Sequence, residues 1–184
     1  MPPISNGVVN RAYIGLGSNL GDRIEQLINA KSQLEALEDT ILLQSSSLYE
    51  SSPVGYAKQS NFINCVIELE FSADQNILFS AMQIIEDNIG RVRDANNQNA
   101  PRLIDLDLLL FASIQSDNPE LIIPHPRINR RLFVLLPLHE LQPQLQIPDL
   151  GTIDEIIQDG DNNNYFDGQS VRKLIGNELE GWVS

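Results

Sequence analysis

Residues 62–71 read Phe-Ile-Asn-Cys-Val-Ile-Glu-Leu-Glu-Phe, ten positions without a Gly or Pro and with a strict two-residue alternation. Successive side chains of a strand point to opposite faces, so Ile63, Cys65, Ile67, Leu69 and Phe71 share one side, and Phe62, Asn64, Val66, Glu68 and Glu70 share the other. A strand this long, with one wholly apolar side, has to lie in a sheet covered on that side. Its opposite side holds an asparagine and two glutamates, and that mixed side is where polar chemistry has room.

The flanking segments supply the cover. Arg11–Leu16 reads as a first strand, followed by the turn-rich Gly17-Ser18-Asn19-Leu20-Gly21 and a helix capped by Asp22, with Ile24, Leu27, Ile28, Leu34 and Leu37 at helical spacing. A second strand is expected over Ile41–Tyr49. Asp74 caps a second helix with Ile77, Leu78, Ala81, Met82, Ile85 and Ile89 in one apolar stripe, ending near Gly90. A strand over 103–111, a short one over Leu121–Ile123, and a helical segment from about Arg130 that Pro137 interrupts complete the pattern. The order predicts an α+β chain of ferredoxin-like βαββαβ type, a two-layer sandwich with helices on one face of a largely antiparallel sheet, plus an additional strand and C-terminal helices. The 184 residues fit one domain, 1–184, with a core over about 11–150. The polar extension 151–184 would contribute Ile153, Ile156 and Ile157 to a short helix and Val171–Ile175 to a further contact.

Twelve basic against 25 acidic residues give a net charge of −13, which argues against a general nucleic-acid binder. Any polyanion must be met by a local cluster. The single cysteine, Cys65, excludes an intramolecular disulfide and suits a reducing compartment, with a small buried apolar role as its plainest reading. No run approaches the roughly 18 apolar residues of a membrane span, so a soluble, cytoplasmic protein is expected.

Ala100–Phe111, APRLIDLDLLLF, contains the candidate site. Residues two apart in a strand lie about 6.6 Å from each other on one side, so Asp105 and Asp107 converge while Ile104, Leu106, Leu108 and Leu110 fill the other side. Two carboxylates so close repel unless cations neutralise them. Mg²⁺, which typically takes one or two carboxylates plus substrate phosphates, answers that need; the alternative is a solvent-facing side that the aspartates merely wet. Six of the twelve basic residues fall between positions 91 and 131: Arg91, Arg93, Arg102, Arg127, Arg130 and Arg131. Arginine forks suit phosphate oxygens, although the same arginines could pair with surplus surface acids. Metal-binding carboxylates beside arginines are the equipment of phosphoryl transfer. Gly15-Leu16-Gly17-Ser18-Asn19-Leu20-Gly21 misses the dinucleotide-binding glycine spacing by one residue, and no P-loop sequence occurs. His125, between Pro124 and Pro126, could reach a phosphate, whereas His139 reads as structural.

With these residues in view, the chain resembles the 6-hydroxymethyl-7,8-dihydropterin pyrophosphokinase family from about Ala12 to Asp149. The blocks AYIGLGSNLGDR, SSLYESSPVGY, FINCVIELE, GRVR, APRLIDLDLLLF and PHPRINRRLFVLLPLHEL agree in order and spacing. The resemblance implies transfer of the β,γ-pyrophosphoryl group of ATP to the pterin hydroxymethyl oxygen, with AMP released. It implies Asp105 and Asp107 as ligands of two Mg²⁺ ions, with Arg93 and Arg102 beside them in catalysis. It further implies nucleotide and phosphate contacts at Glu86, Arg91, Arg93, Arg102, His125 and Arg131, and a pterin pocket of Ser51, Pro53, Val54, Phe62, Asn64 and Phe133. The implied partners are small molecules, with neither nucleic acid nor membrane, and a monomer suffices. One stretch departs: Gln98 and Asn99 stand where the family commonly carries an arginine and a tryptophan. The loss of that charge and aromatic lid predicts slower turnover, and at the extreme a chain that binds both ligands with little chemistry.

Overall fold

The computed structural model describes residues 9–53, 59–91, 100–179 and 181–182. Strand β1 (Asn10–Ser18) leads through the Asp22 cap into α1 (Arg23–Glu35), then β2 (Thr40–Ser45), β3 (Tyr49–Ser51) and β4 (Phe62–Phe71). Helix α2 (Gln75–Ile89) is capped by Asp74 and closed by Gly90 in the left-handed region, as its stripe and terminal glycine predict. Then come β5 (Asp105–Phe111), the hairpin β6 (Ser116–Asn118) and β7 (Leu121–Ile123), α3 (Leu132–Leu141), β8 (Gln146–Ile147), β9 (Gly151–Thr152), α4 (Ile153–Asn162) and β10 (Val171–Lys173).

The main sheet is antiparallel in the order β10-β3-β4-β1-β5, with β2 also paired to β4. The strand expected over Ile41–Tyr49 is two strands laid end to end along β4: β2 runs beside Ile67–Phe71 and β3 beside Phe62–Asn64. The break falls at Ser46, whose hydroxyl accepts the Val66 N–H at 3.0 Å, so a side chain replaces a backbone rung.

Both sides of the sheet are covered, which extends the expected two-layer sandwich. On one side α1 and α2 bury Leu27, Ala30, Leu34, Leu78, Met82 and Ile85 against Ile14, Ile63, Cys65, Ile67 and Leu69. On the other, α3 and α4 bury Val134, Leu135, Leu138, Ile153 and Ile156 against Tyr13, Val66, Leu109 and Leu110. The mixed side of β4 therefore meets apolar partners over only part of its length, and its Phe62–Asn64 end stays open to the site.

Two further expectations need correction. In β5 the alternation does not run unbroken to Phe111: Tyr13 pairs with Leu110 and Ile14 with Leu108, leaving Leu109 as the extra residue of a bulge. Leu110 thus turns to the Asp105/Asp107 side and Phe111 to the α1/α2 side. Nor does Pro137 interrupt α3, which runs through it. An interior proline costs about 3 kcal/mol, whereas burying Val134, Leu135 and Leu138 returns about 1.5–3 kcal/mol each, so packing holds the helix together. The extension is well integrated: α4 enters the second buried cluster, while Leu174 and Trp182 enter the first. Among the described residues no helix is long and apolar enough to cross a membrane.

Candidate active site

The site begins with the register of three adjacent strands. Gly17 of β1 lies opposite Asn64 of β4 on one flank and Asp105 of β5 on the other, and Gly15 lies opposite Asp107. A Cβ on Gly17 would come 3.2 Å from Asn64 Oδ1. Glycine in the middle strand therefore leaves a floor without side chains between the asparagine and the two aspartates. The cleft above it is also lined by Ser51, Ser52, Gln59, Phe62, Arg102, Arg127, Arg131 and Phe133.

Asp105 meets Arg91 Nη1 at 2.6 Å and Arg102 Nη1 at 3.1 Å. Asp107 meets Arg131 Nη1 at 2.7 Å and lies 3.9 Å from His125 Nε2. Both aspartates face the cleft as their spacing predicts, so they do not simply wet a surface strand. Burial pushes the Asp105 pKa up, aided by the neighbouring Asp107 charge and opposed by Arg102, Arg91 and Arg131. Burial acts on Asp107 in the same sense, but Arg131, His125 and Arg102 outweigh it and hold that pKa below the ordinary carboxylate value. The pair is thus poised unevenly, with Asp105 the costlier of the two to ionise.

His125 is pushed down to about 4, chiefly by burial and also by the Arg131 and Arg127 charges, against the pull of Asp107. It is neutral at pH 7. Its Nδ1 accepts the Arg127 N–H at 3.1 Å, so Nε2 carries the proton and faces Asp107. The bulge places this histidine, because the His125 N–H donates to the Leu109 carbonyl at 2.9 Å.

Glu86 sits behind the cleft, almost wholly buried, where it accepts from Arg91 and from the Leu106 N–H at 2.7 Å. It fixes Arg91 and the start of β5 and does not line the cleft. Arg102 lies 5.7 Å from the Phe62 ring centroid and Arg131 lies 5.6 Å from that of Phe133. The Arg102 Nε is the one buried side-chain polar atom without a partner among the described residues, a donor that a ligand could satisfy. Asn64 Nδ2 donates to Ser51 Oγ at 2.9 Å and to the Tyr49 carbonyl at 3.3 Å, which turns Oδ1 toward Gly17 and the cleft.

Pro53 is half-buried beyond Ser52 and does not line the cleft. Arg130 turns away, over the Tyr165 ring at 3.3 Å. Val54, Arg93, Gln98 and Asn99 lie outside the described residues. Sequence reasoning missed Asn19, whose Oδ1 accepts the Arg102 N–H at 2.8 Å while its own N–H donates to the Arg102 carbonyl at 3.2 Å. That two-way bond ties the approach to β5 onto the end of β1; an asparagine directly after a strand was the available signal.

Among the described residues no three His, Cys, Asp or Glu side chains gather as a ready metal cage. Two converging carboxylates, one of them costly to ionise in its buried setting, still suit a hard cation whose remaining ligands come from phosphate and water.

A cleft of paired carboxylates ringed by arginines, set on a glycine floor in an antiparallel α+β sheet, has the charge pattern that suits a polyphosphate and a hard cation. Comparison with known proteins makes the assignment specific. The family model described as 7,8-dihydro-6-hydroxymethylpterin-pyrophosphokinase matches residues 13–143, and the chain belongs to that family. It is 42% identical over 137 residues to the 2-amino-4-hydroxy-6-hydroxymethyldihydropteridine pyrophosphokinase of Bacillus subtilis, covering 74% of this chain and 81% of that one. To the enzyme of the same name from Pseudomonas aeruginosa it is 41% identical over 150 residues, covering 82% and 91%. The crystal structure of Plasmodium falciparum HPPK-DHPS aligns with a TM-score of 0.67 at 15% identity, over 88% of this chain and 48% of that one. This chain spans about half of that longer protein, and the likeness there is one of fold.

Proposed function

We propose that the chain transfers the β,γ-pyrophosphoryl group of ATP to the hydroxymethyl oxygen of 6-hydroxymethyl-7,8-dihydropterin, a step of folate biosynthesis, through the cleft on β5. The hydroxymethyl oxygen attacks the β-phosphorus, the bond from that phosphorus to the α,β-bridging oxygen breaks, AMP leaves, and the hydroxyl proton passes to water. The observation that carries this reading is the pair Asp105 and Asp107 facing one cleft, each held by arginine, in a member of this family.

Asp105 and Asp107 would hold two Mg²⁺ ions, which when bound neutralise the triphosphate and the charge developing on the departing oxygen. The guanidiniums that now rest on the aspartates then have phosphate oxygens to turn to: Arg102 and Arg91 from the Asp105 side, Arg131 from the Asp107 side. Neutral His125 donates from Nε2, and the pair Arg93 and Arg102 stabilises the transferring group. Phe133 and Phe62 flank the pterin ring, Asn64 Oδ1 accepts from the pterin edge, and Ser51 holds Asn64 in that orientation. No residue is placed as a general base, and positioning with charge stabilisation carries the chemistry.

The strand order β5-β1-β4, continued by β2 and β3 end to end along β4, is read as the ferredoxin-like arrangement enlarged by β10 at the edge of β3 and by a third layer. We read the chain as a single-domain, monomeric, cytoplasmic enzyme, with the buried Cys65 suited to a reducing compartment. The test is Asp105→Asn and Asp107→Asn separately at saturating Mg²⁺. Each is expected to lower kcat for AMP release by about 10²–10³-fold; AMP release at the wild-type rate from either variant would overturn the assignment of the pair.

A further inference from the structure

Arg131 occupies an unusual place. It is the N-cap residue of α3, with extended backbone, and it makes no side-chain capping bond. Serine, threonine, aspartate or asparagine ordinarily stands there, because an oxygen is needed for the unpaired N–H groups of the first turn. An arginine has no acceptor to give, and this one is committed to Asp107 at 2.7 Å. The missing acceptor comes from a side chain 37 residues beyond Leu132. Gln169 Oε1 accepts the Leu132 N–H at 3.0 Å, and Gln169 Nε2 donates to the Arg130 carbonyl at 2.9 Å. One amide thus grips the peptide groups on both sides of Arg131.

The grip is itself anchored. The Ser52 N–H donates to the Ser170 carbonyl at 2.9 Å, the Ser170 N–H donates to Ser52 Oγ at 3.1 Å, and β10 then adds to β3 from Val171. The amide therefore hangs from the end of a strand and not from a free tail, as a supporting residue must if it is to hold another within a fraction of an ångström.

We infer that Gln169 is a positioning residue for the transfer: as a substitute N-cap it frees position 131 for arginine and fixes the direction in which Arg131 and, one residue into the helix, Phe133 enter the cleft. Gln169 lies outside the span 13–143 matched by the family, so the C-terminal extension is part of the working site in this chain. The inference rests on the proposed reaction, because it concerns the same cleft.

The test compares Gln169→Leu, which removes both bonds, and Gln169→Glu, which keeps the acceptor opposite Leu132, with Arg172→Gln. The Arg172 side chain pairs with Glu50 and Glu178 on the outer side of the same extension, and neither of these acids lines the cleft. The sole tryptophan, Trp182, is buried with its Nε1 donating to the Ser46 carbonyl, so its emission reports whether the extension is docked. Gln169→Leu is expected to lose about 10- to 100-fold in kcat/KM, Gln169→Glu to lose clearly less, and Arg172→Gln to stay at wild type, all with matching Trp182 emission. Affinity for a non-hydrolysable ATP analogue with Mg²⁺, measured by calorimetry, should fall in step for Gln169→Leu. That readout needs no turnover, so a wild-type chain that bound the analogue without releasing AMP would count against the proposed reaction and leave the positioning role separately measurable. Wild-type kcat/KM and affinity in Gln169→Leu would overturn the inference, as would losses that merely track Tm across all three variants.

Discussion

At the scale of single residues, the site depends as much on what is absent as on what is present. Gly17 leaves the space through which Asn64 Oδ1 looks onto the cleft, only 3.2 Å from where a Cβ would stand. Gly17→Ala should displace the asparagine amide and raise KM for the pterin by about tenfold with little change in Tm, since the strand itself tolerates alanine. An unchanged KM would show that Asn64 is not held at a recognition position. The aspartates and the Asn64/Phe62 side were legible because strand alternation alone sets those directions; the arginines, which lie outside the expected strands, were legible only as a concentration of charge between positions 91 and 131, and one of them, Arg130, turns away. The glycine floor was not, because glycines beside a turn read first as turn residues and their role appears only in the pairing with β4 and β5. Asn19 and Gln169 were hidden for a related reason: their partners are backbone groups 83 and 37 positions away, and no local pattern marks such bonds.

At the scale of elements, the departures have local physical causes. Ser46 splits one expected strand into β2 and β3 by offering its hydroxyl to the backbone, and the Leu109 bulge turns the end of β5 over while placing His125. Neither shows as a breaker in a run free of Gly and Pro. The resulting short strand β3 needs lateral support, and Glu140 of α3 supplies it by accepting from Tyr49 Oη at 2.7 Å, Ser47 Oγ at 2.8 Å and Lys173 Nζ at 3.1 Å. Burial would raise the Glu140 pKa, but the Tyr49, Ser47 and Lys173 bonds outweigh it and hold the value below the ordinary carboxylate range. A depressed folded pKa stabilises above the unfolded value, about 4.3, and that stability is lost as pH falls through the folded value. Glu140→Gln should therefore cost about 1–2 kcal/mol at pH 7, with the wild-type and variant curves converging from about pH 5 downward. A gap of constant size across that range in urea melts would contradict this role.

At the scale of the whole molecule, a chain of net charge −13 presents a cleft where Arg102, Arg127 and Arg131 stand beside Asp105 and Asp107, with Arg91 and Glu86 behind them. Such a local inversion of sign is what the proposed reaction requires of an acidic chain that meets a nucleoside triphosphate. The core sheet and its first two helices were legible from periodicity. The helices of the third layer were legible as well, α3 from its apolar run and α4 from Ile153, Ile156 and Ile157, but their place was not: the second buried cluster emerges only once β4 and β5 present Val66 and Leu109 on the other side of the sheet. The most direct measurement of the central claim is the nucleotide product. Purified protein is incubated with ATP, Mg²⁺ and 6-hydroxymethyl-7,8-dihydropterin, and the nucleotides are separated by chromatography. The account predicts AMP in one-to-one step with a pterin diphosphate. ADP with a pterin monophosphate would contradict pyrophosphoryl transfer, and binding of both ligands without any product would contradict it too, turning attention to Gln98 and Asn99.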